Sequence, residues 1–249
     1  MKLELVIPTK LSEIPLMHYQ KFIEVSENSN DEEFIAQKMI ELFCGIELKN
    51  VVKIKMTDVN KLVEHFTKLF ESQPKFQHRF KIQDKEFGFI PDLENISFGE
   101  YIDLDSNLGD IQKLNKAMAV MYRPITKTFK DKYEIEDYQG SANYSEVMKY
   151  APVDVALGAT VFFYRLRSEL LKATLHYLEK EVQTMTSTNT AKKRSSVNNG
   201  DGISQYTQLL KVMSDDLTTL PEWDYSSALP TLLSKSRKTR LNQEKLKEA

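Results

Sequence analysis

From Pro152 a single helical pattern runs on without interruption, and its first part dictates what the rest of the chain must do. Val155, Ala159, Phe162, Leu166, Leu170, Ala173 and Tyr177 recur at steps of three or four, which predicts a helix from Pro152 to about Val182. Its opening stretch, residues 153 to 164, is apolar on nearly every side. A helix apolar all round is a central core element, and this run falls well short of the ~20 residues that cross a bilayer. The remaining elements must therefore supply amphipathic faces to cover it.

The N-terminal half supplies them. Leu3, Leu5 and Ile7 alternate with Lys2, Glu4 and Val6, which predicts a short N-terminal strand with one buried face. Ser12 and Pro15 then open a helix carrying Leu16, Tyr19, Phe22 and Ile23 to about Val25. Asn30 and Asp31 cap a second helix, in which Phe34, Ile35, Met39, Ile40 and Phe43 share a face and Gly45 stands at the left-handed C-terminal position. A third, with Val59, Leu62, Val63, Phe66, Leu69 and Phe70, is stopped by Pro74, and the short link from Gly45 to Met56 makes an antiparallel pair of the two.

Residues 78 to 91 switch to a period of two. Phe80 and Ile82, a turn at Asp84 and Lys85, then Phe87 and Phe89 predict a β-hairpin. Further helices are predicted from Ser97 over residues 98 to 104 and over residues 110 to 121, the latter ended by Pro124, with a short strand at residues 133 to 138. The fold class is thus α+β, predominantly helical.

Between residues 184 and 202 the composition collapses to Thr, Ser, Asn, Gly, Lys and Arg, too little apolar surface to offset the entropy of ordering it. The expected organisation is a mainly helical body with a small β element over 1–182, a flexible linker over 183–202, and a helical, basic C-terminal appendage over 203–249.

Charge excludes the simplest partners. Lys and Arg number 34 against 36 Asp and Glu, so the chain as a whole has no basic excess with which to track nucleic acid or an anionic membrane. Residues 1 to 8 lack the apolar run of a signal peptide, and the single cysteine, Cys44, has no partner within the chain, so an intracellular setting is expected. Local basic features remain: Lys192, Lys193 and Arg194 in the linker, and Lys235, Arg237, Lys238 and Arg240 near the C-terminus. These are candidate contacts for nucleic acid or for acidic protein surfaces, although lysines and arginines also complement the C-terminal dipole of a helix.

The search for catalytic chemistry is unproductive. Residues 86 to 112 carry seven Asp or Glu and no Lys, Arg or His, and Asp103, Asp105 and Asn107 match the first three ligand positions of a calcium loop. Position 6 is Leu108 where glycine is required and position 12 is Leu114 where a bidentate glutamate is required, so the stretch reads as a solvated acidic face or as a surface that docks a basic partner. Cys44 sits beside Phe43 as a small buried thiol, the four histidines have no metal-ligand spacing, and the glycines form no phosphate cradle. The expectation is no enzyme, no metal, no cofactor and no small-molecule substrate. The aromatic cluster Tyr133, Tyr138, Tyr144 and Tyr150 lies in a turn-rich region around Gly140 and is either the candidate exposed interaction surface, with Tyr138 and Tyr144 as its partner contacts, or a cap on the long helix.

The stretches EFGFIPDLENISFGEYIDLD from residue 86, NKAMAVMYRPI from residue 115 and YSEVMKYAPVDVALGATVFFYRLRSELL from residue 144 resemble proteins of tailed bacteriophages of Bacteroidota, the crAss-like group above all. The resemblance covers most of residues 30 to 180. It implies a virion or tail-assembly component: packaged cargo or a neck or tail protein in the particle, present in the host cytoplasm during assembly, with other phage structural proteins or copies of itself as partners. A tail-assembly chaperone absent from the mature particle and a nucleic-acid-binding accessory protein using the basic C-terminus are the alternatives.

Overall fold

In the computed structural model, residues 5–93, 95–130 and 132–189 are described. Among them are eight α-helices and a four-stranded antiparallel sheet, so the chain is α+β and mostly helical, as its patterning predicts. The described residues fall into two units. The first ends at Thr160; residues from Val161 belong to the second, whose described part is helical up to Asn189.

The first unit begins with a helical layer. α1 (Leu16–Asn28), α2 (Glu32–Cys44), the short α3 (Leu48–Val51) and α4 (Met56–Phe70) follow one another, with α2 packed on both α1 and α4. Asp31 caps α2 by accepting from the backbone N–H groups of Glu33 and Phe34, and Gly45 closes it with a φ of 65° that an L side chain would resist. The apolar stripes meet in an aromatic cluster: Phe43 lies 5.2 Å from Phe22, 5.3 Å from Phe66 and 5.6 Å from Phe70, ring centre to ring centre. Offset and edge-on geometries at these separations are the favoured ones for aromatic pairs.

The second layer is the sheet, in the order β1 (Arg79–Ile82), β2 (Lys85–Phe89), β3 (Tyr122–Phe129), β4 (Lys132–Ile135). β1 and β2 are the predicted hairpin, turning at Gln83 and Asp84 one residue earlier than the sequence suggests, with Gln83 at a φ of 52°. Phe80, Phe87, Phe89 and Tyr122 bury one face of the sheet, and Tyr122 donates its hydroxyl to the Gln77 carbonyl at 2.6 Å. α5 (Phe98–Leu108), α6 (Leu114–Met121) and α7 (Ala142–Met148) complete this part, α6 contacting both α5 and α7.

The two layers are joined through polar side chains. Gln20 of α1 donates to the Ile111 carbonyl at 2.8 Å and Gln112 returns a bond to the Gln20 carbonyl at 3.0 Å, while within the second layer the buried Asn115 of α6 donates to the Ser145 carbonyl of α7 at 3.0 Å. Ahead of α1, Pro15 bridges to Pro152, and Val153 donates to the Ile14 carbonyl at 3.0 Å. This seats the start of α8 (Val153–Asn189), whose Val153, Val155, Ala156, Leu157 and Ala159 are buried as an all-round apolar helix requires.

Three expectations are corrected. Residues 5 to 8 form no strand, and Val6 and Ile7 are exposed: an alternating pattern marks a face but becomes a strand only where another strand's backbone accepts it. The rest of that predicted strand lies outside the described residues. α6 ends at Met121, ahead of Pro124, and the chain continues directly as β3 from Tyr122; Pro124 lies within that strand, at home in extended backbone and holding Arg123 there. α8 runs to Asn189, past the predicted end at Val182. The predicted linker beyond Asn189 and the C-terminal appendage lie outside the described residues.

Candidate functional site

α5 is held in place by its polar side chains. Ser97 accepts from the Glu100 N–H at 3.3 Å while Glu100 Oε2 accepts from the Ser97 N–H at 2.8 Å, a complete capping box. The other oxygen of Glu100 meets Arg123 of β3 at 2.5 Å, and both side chains are buried. Arg123 also lies over the Tyr138 ring, its guanidinium carbon 5.5 Å from the ring centre, while its Nε is buried without a hydrogen-bond partner. One turn along, Asp103 accepts from the Tyr138 hydroxyl and from the Ser141 N–H, and Asn107 donates to the Asp103 carbonyl at 2.6 Å.

The inward face of α5 is therefore Glu100, Leu104 and Asn107, at the i, i+4, i+7 spacing normally filled by apolar residues. The outward face is Phe98, Tyr101 and Ile102, exposed by 78%, 59% and 44% respectively, with the exposed Asp105 next along the same stripe. The helix is turned over relative to the usual amphipathic arrangement. Beside its first turn a cleft of about 490 Å³ opens between residues 90 to 92 and 95 to 97 on one side and residues 133 to 138 on the other, with Arg123 and Glu100 in its lining and Asp92, Glu134, Glu136 and Asp137 around them.

The electrostatics fit a structural anchor. Burial raises the Glu100 pKa, but the bonds from Ser97 and Arg123 outweigh it, so the carboxyl sits below its ordinary range. Asp103 is held low by the bonds from Tyr138 and Ser141, and the Tyr138 hydroxyl is raised by burial and by that same carboxylate.

Tyr138 and Tyr144, predicted as partner contacts on an exposed aromatic surface, are instead half-buried with their hydroxyls engaged. Tyr138 bonds Asp103; Tyr144 donates to Glu136 and meets the edge of Phe87, its own pKa pushed up to about 12 by burial and by Glu136. Tyr133 lies across the sheet, its hydroxyl shared between the His78 and Phe89 carbonyls, and only Tyr150 of the four is exposed, at 60%. Exposed aromatic residues of this region lie at Phe129 on β3, at Tyr150 and, two on one helix face, on α5, where the signal available in the sequence was Phe98, Tyr101 and Ile102 at i, i+3, i+4 inside the acidic window. Lys192, Lys193, Arg194, Lys235, Arg237, Lys238 and Arg240 lie outside the described residues.

The calcium-like pattern is dismantled by the helix. Asp103, Asp105 and Asn107 sit two residues apart on α5, so successive members point to opposite sides and cannot converge on one ion. Among the described residues no three of His, Cys, Asp and Glu are grouped to hold a metal, and no helix is long and apolar enough to cross a membrane. Cys44 is buried and its thiol is pushed up to about 11, far from the thiolate that nucleophilic chemistry uses. Protein-family models, curated proteins and solved structures yield no match to this chain.

Proposed function

We propose that this chain is a non-enzymatic component of a tailed-phage particle, cargo or a neck or tail part, that works through protein contacts made by α5. The observation that carries this reading is the inverted helix. A helix that spends buried positions on Glu100 and Asn107 and leaves Phe98, Tyr101 and Ile102 in water pays twice unless something covers the outer face. Aromatic residues presented from a rigid element are the usual anchors of protein interfaces.

The phage resemblance supports the same reading and coincides with it in space. The stretches from residues 86, 115 and 144 supply most of β2, α5 and α6, half of β3, most of α7 and the start of α8, and β2 pairs with β3 while α6 packs on α5 and α7. Up to Thr160 the resembling segments thus form one packed block that displays the α5 face.

The test is quantitative mass spectrometry of washed particles beside infected-cell lysate. Retention in the particle, lost when Phe98→Ser and Tyr101→Ser are introduced together, is the expected result. Abundance in lysate with none in particles would overturn it in favour of an assembly chaperone.

A further inference from the structure

The α5 ridge has a counterpart on the same chain. Leu5 and Ile7, with the α3–α4 region, frame a groove of about 470 Å³ whose apolar lining is Leu5, Ile7, Ile54 and Leu62. Three exposed lysines, Lys53, Lys55 and Lys61, line it as well, and Asp58 accepts from Lys61 at 3.2 Å. Immediate chain neighbours of the lining residues add further exposed apolar surface: Val6 at 81%, Val52 at 61% and Met56 at 59%. The groove is concave, apolar and basic at its rim.

The ridge is its complement in shape and charge. Phe98, Tyr101 and Ile102 project from a helix whose outward stripe continues in the exposed Asp105, beside a cleft lined by Asp92, Glu134, Glu136 and Asp137. Two ridges facing each other would set acid against acid, and two grooves lysine against lysine, so neither surface suits a two-fold contact with itself. Ridge into groove removes both repulsions and buries apolar surface on each side. The two surfaces share no residue, so one copy can offer both at once.

We propose that copies of this chain associate head to tail, the α5 ridge of one seated in the α3–α4 groove of the next; this rests on the α5 face being a contact surface and names its partner. Such a contact is heterologous. Each added copy leaves one ridge and one groove free, so assembly proceeds to a closed ring or an open filament rather than stopping at a dimer.

Sedimentation velocity of the full chain over a range of concentrations, at low and high salt, tests this with two variants. The ridge variant is Phe98→Ser with Tyr101→Ser; the groove variant is Lys53→Glu, Lys55→Glu and Lys61→Glu, all at exposed positions. The wild type should grow in mass with concentration and dissociate as salt screens the charges. Each variant alone should associate about thirtyfold more weakly, the loss typical of removing an interface anchor. Mixed, the two should form a one-to-one pair and nothing larger, because a single intact ridge and a single intact groove remain between them. Circular dichroism of each variant identical to wild type confirms that folding is retained.

A wild type that stays monomeric, variants that associate like the wild type, or a mixture that stays monomeric would each overturn the proposal. If the wild type is monomeric while the ridge variant still drops out of particles, self-association fails and α5 docks another protein. A ridge variant retained in particles as well as the wild type removes the α5 contact itself.

Discussion

Gly88→Ala is the sharpest probe of how the sheet is built. The Tyr133 ring lies flat on β2 at Gly88, where an added Cβ would stand 2.4 Å from its Cε2 and 2.8 Å from its Cδ2, with Ile125 Cγ1 at 2.9 Å. No real contact is that short, so the ring must leave. Leaving breaks the hydroxyl's bonds to the Phe89 carbonyl at 2.8 Å and the His78 carbonyl at 3.2 Å, worth together about 1 kcal/mol since one hydrogen serves both. It also uncovers Arg79, whose guanidinium carbon lies 4.4 Å from the ring centre, a contact worth about 0.5–1 kcal/mol. Repacking around the displaced ring adds about 1 kcal/mol, and replacing glycine in a strand returns about 0.5–1 kcal/mol. The net loss is about 2 kcal/mol, a fall in Tm of roughly 4–8 °C for a body of this size. Urea unfolding of Gly88→Ala, Tyr133→Ala and the double variant measures it: the alanine at residue 88 should cost much less once the ring is gone. Full additivity, or a loss under about 0.5 kcal/mol in the single variant, would refute the argument that the ring requires a glycine beneath it.

Other expectations follow from the same geometry. Arg123→Met strands the buried Glu100 carboxylate and should cost about 3–5 kcal/mol, most of it recovered when Glu100→Gln is added; chemical denaturation that finds the pair of changes worse than Arg123→Met alone would refute the ion-pair account. Glu100 and Asp103 both titrate below their ordinary values in the folded chain, so the stability they contribute is complete above the unfolded carboxylate values near 4 and is lost as pH falls through the folded ones. Thermal melts from pH 7 down to about 3 should show this acid loss, and Tyr138→Phe should reduce it; an identical acid slope in that variant would contradict the role of Asp103. Gly158→Ala places a Cβ 2.7 Å from the Lys75 carbonyl oxygen, a backbone atom that cannot rotate away, and should cost about 1–3 kcal/mol by differential scanning calorimetry, an unchanged Tm being the refuting result.

Much of the fold was legible because its signals are local. Asp31 and Gly45 bound α2, Ser97 and Glu100 start α5, and the two-residue period around Phe80 and Phe87 makes the hairpin; each depends on neighbours within a few positions. β3 was not legible, because Pro124 reads as a helix stop while it is equally compatible with a strand, and only the edge offered by β2 decides that the chain is extended from Tyr122.

The orientation of α5 shows where local reasoning stops. Phe98, Tyr101 and Ile102 have the spacing of a buried stripe, and by periodicity alone they belong in the core. What turns the helix over is a guanidinium on β3 and a phenol beyond β4, Arg123 and Tyr138, which claim Glu100 and Asp103 from 23 and 35 residues away. With the helix turned the other way the buried Arg123 guanidinium would lose its carboxylate, a loss of about 3–5 kcal/mol that exceeds what burying one or two apolar side chains returns, so the polar face goes in and the apolar face is left for a partner. The interaction surface is thus a by-product of the anchor. The substitutions that test the anchor, at Arg123 and Tyr138, should also weaken whatever docks on Phe98 and Tyr101, without touching either residue.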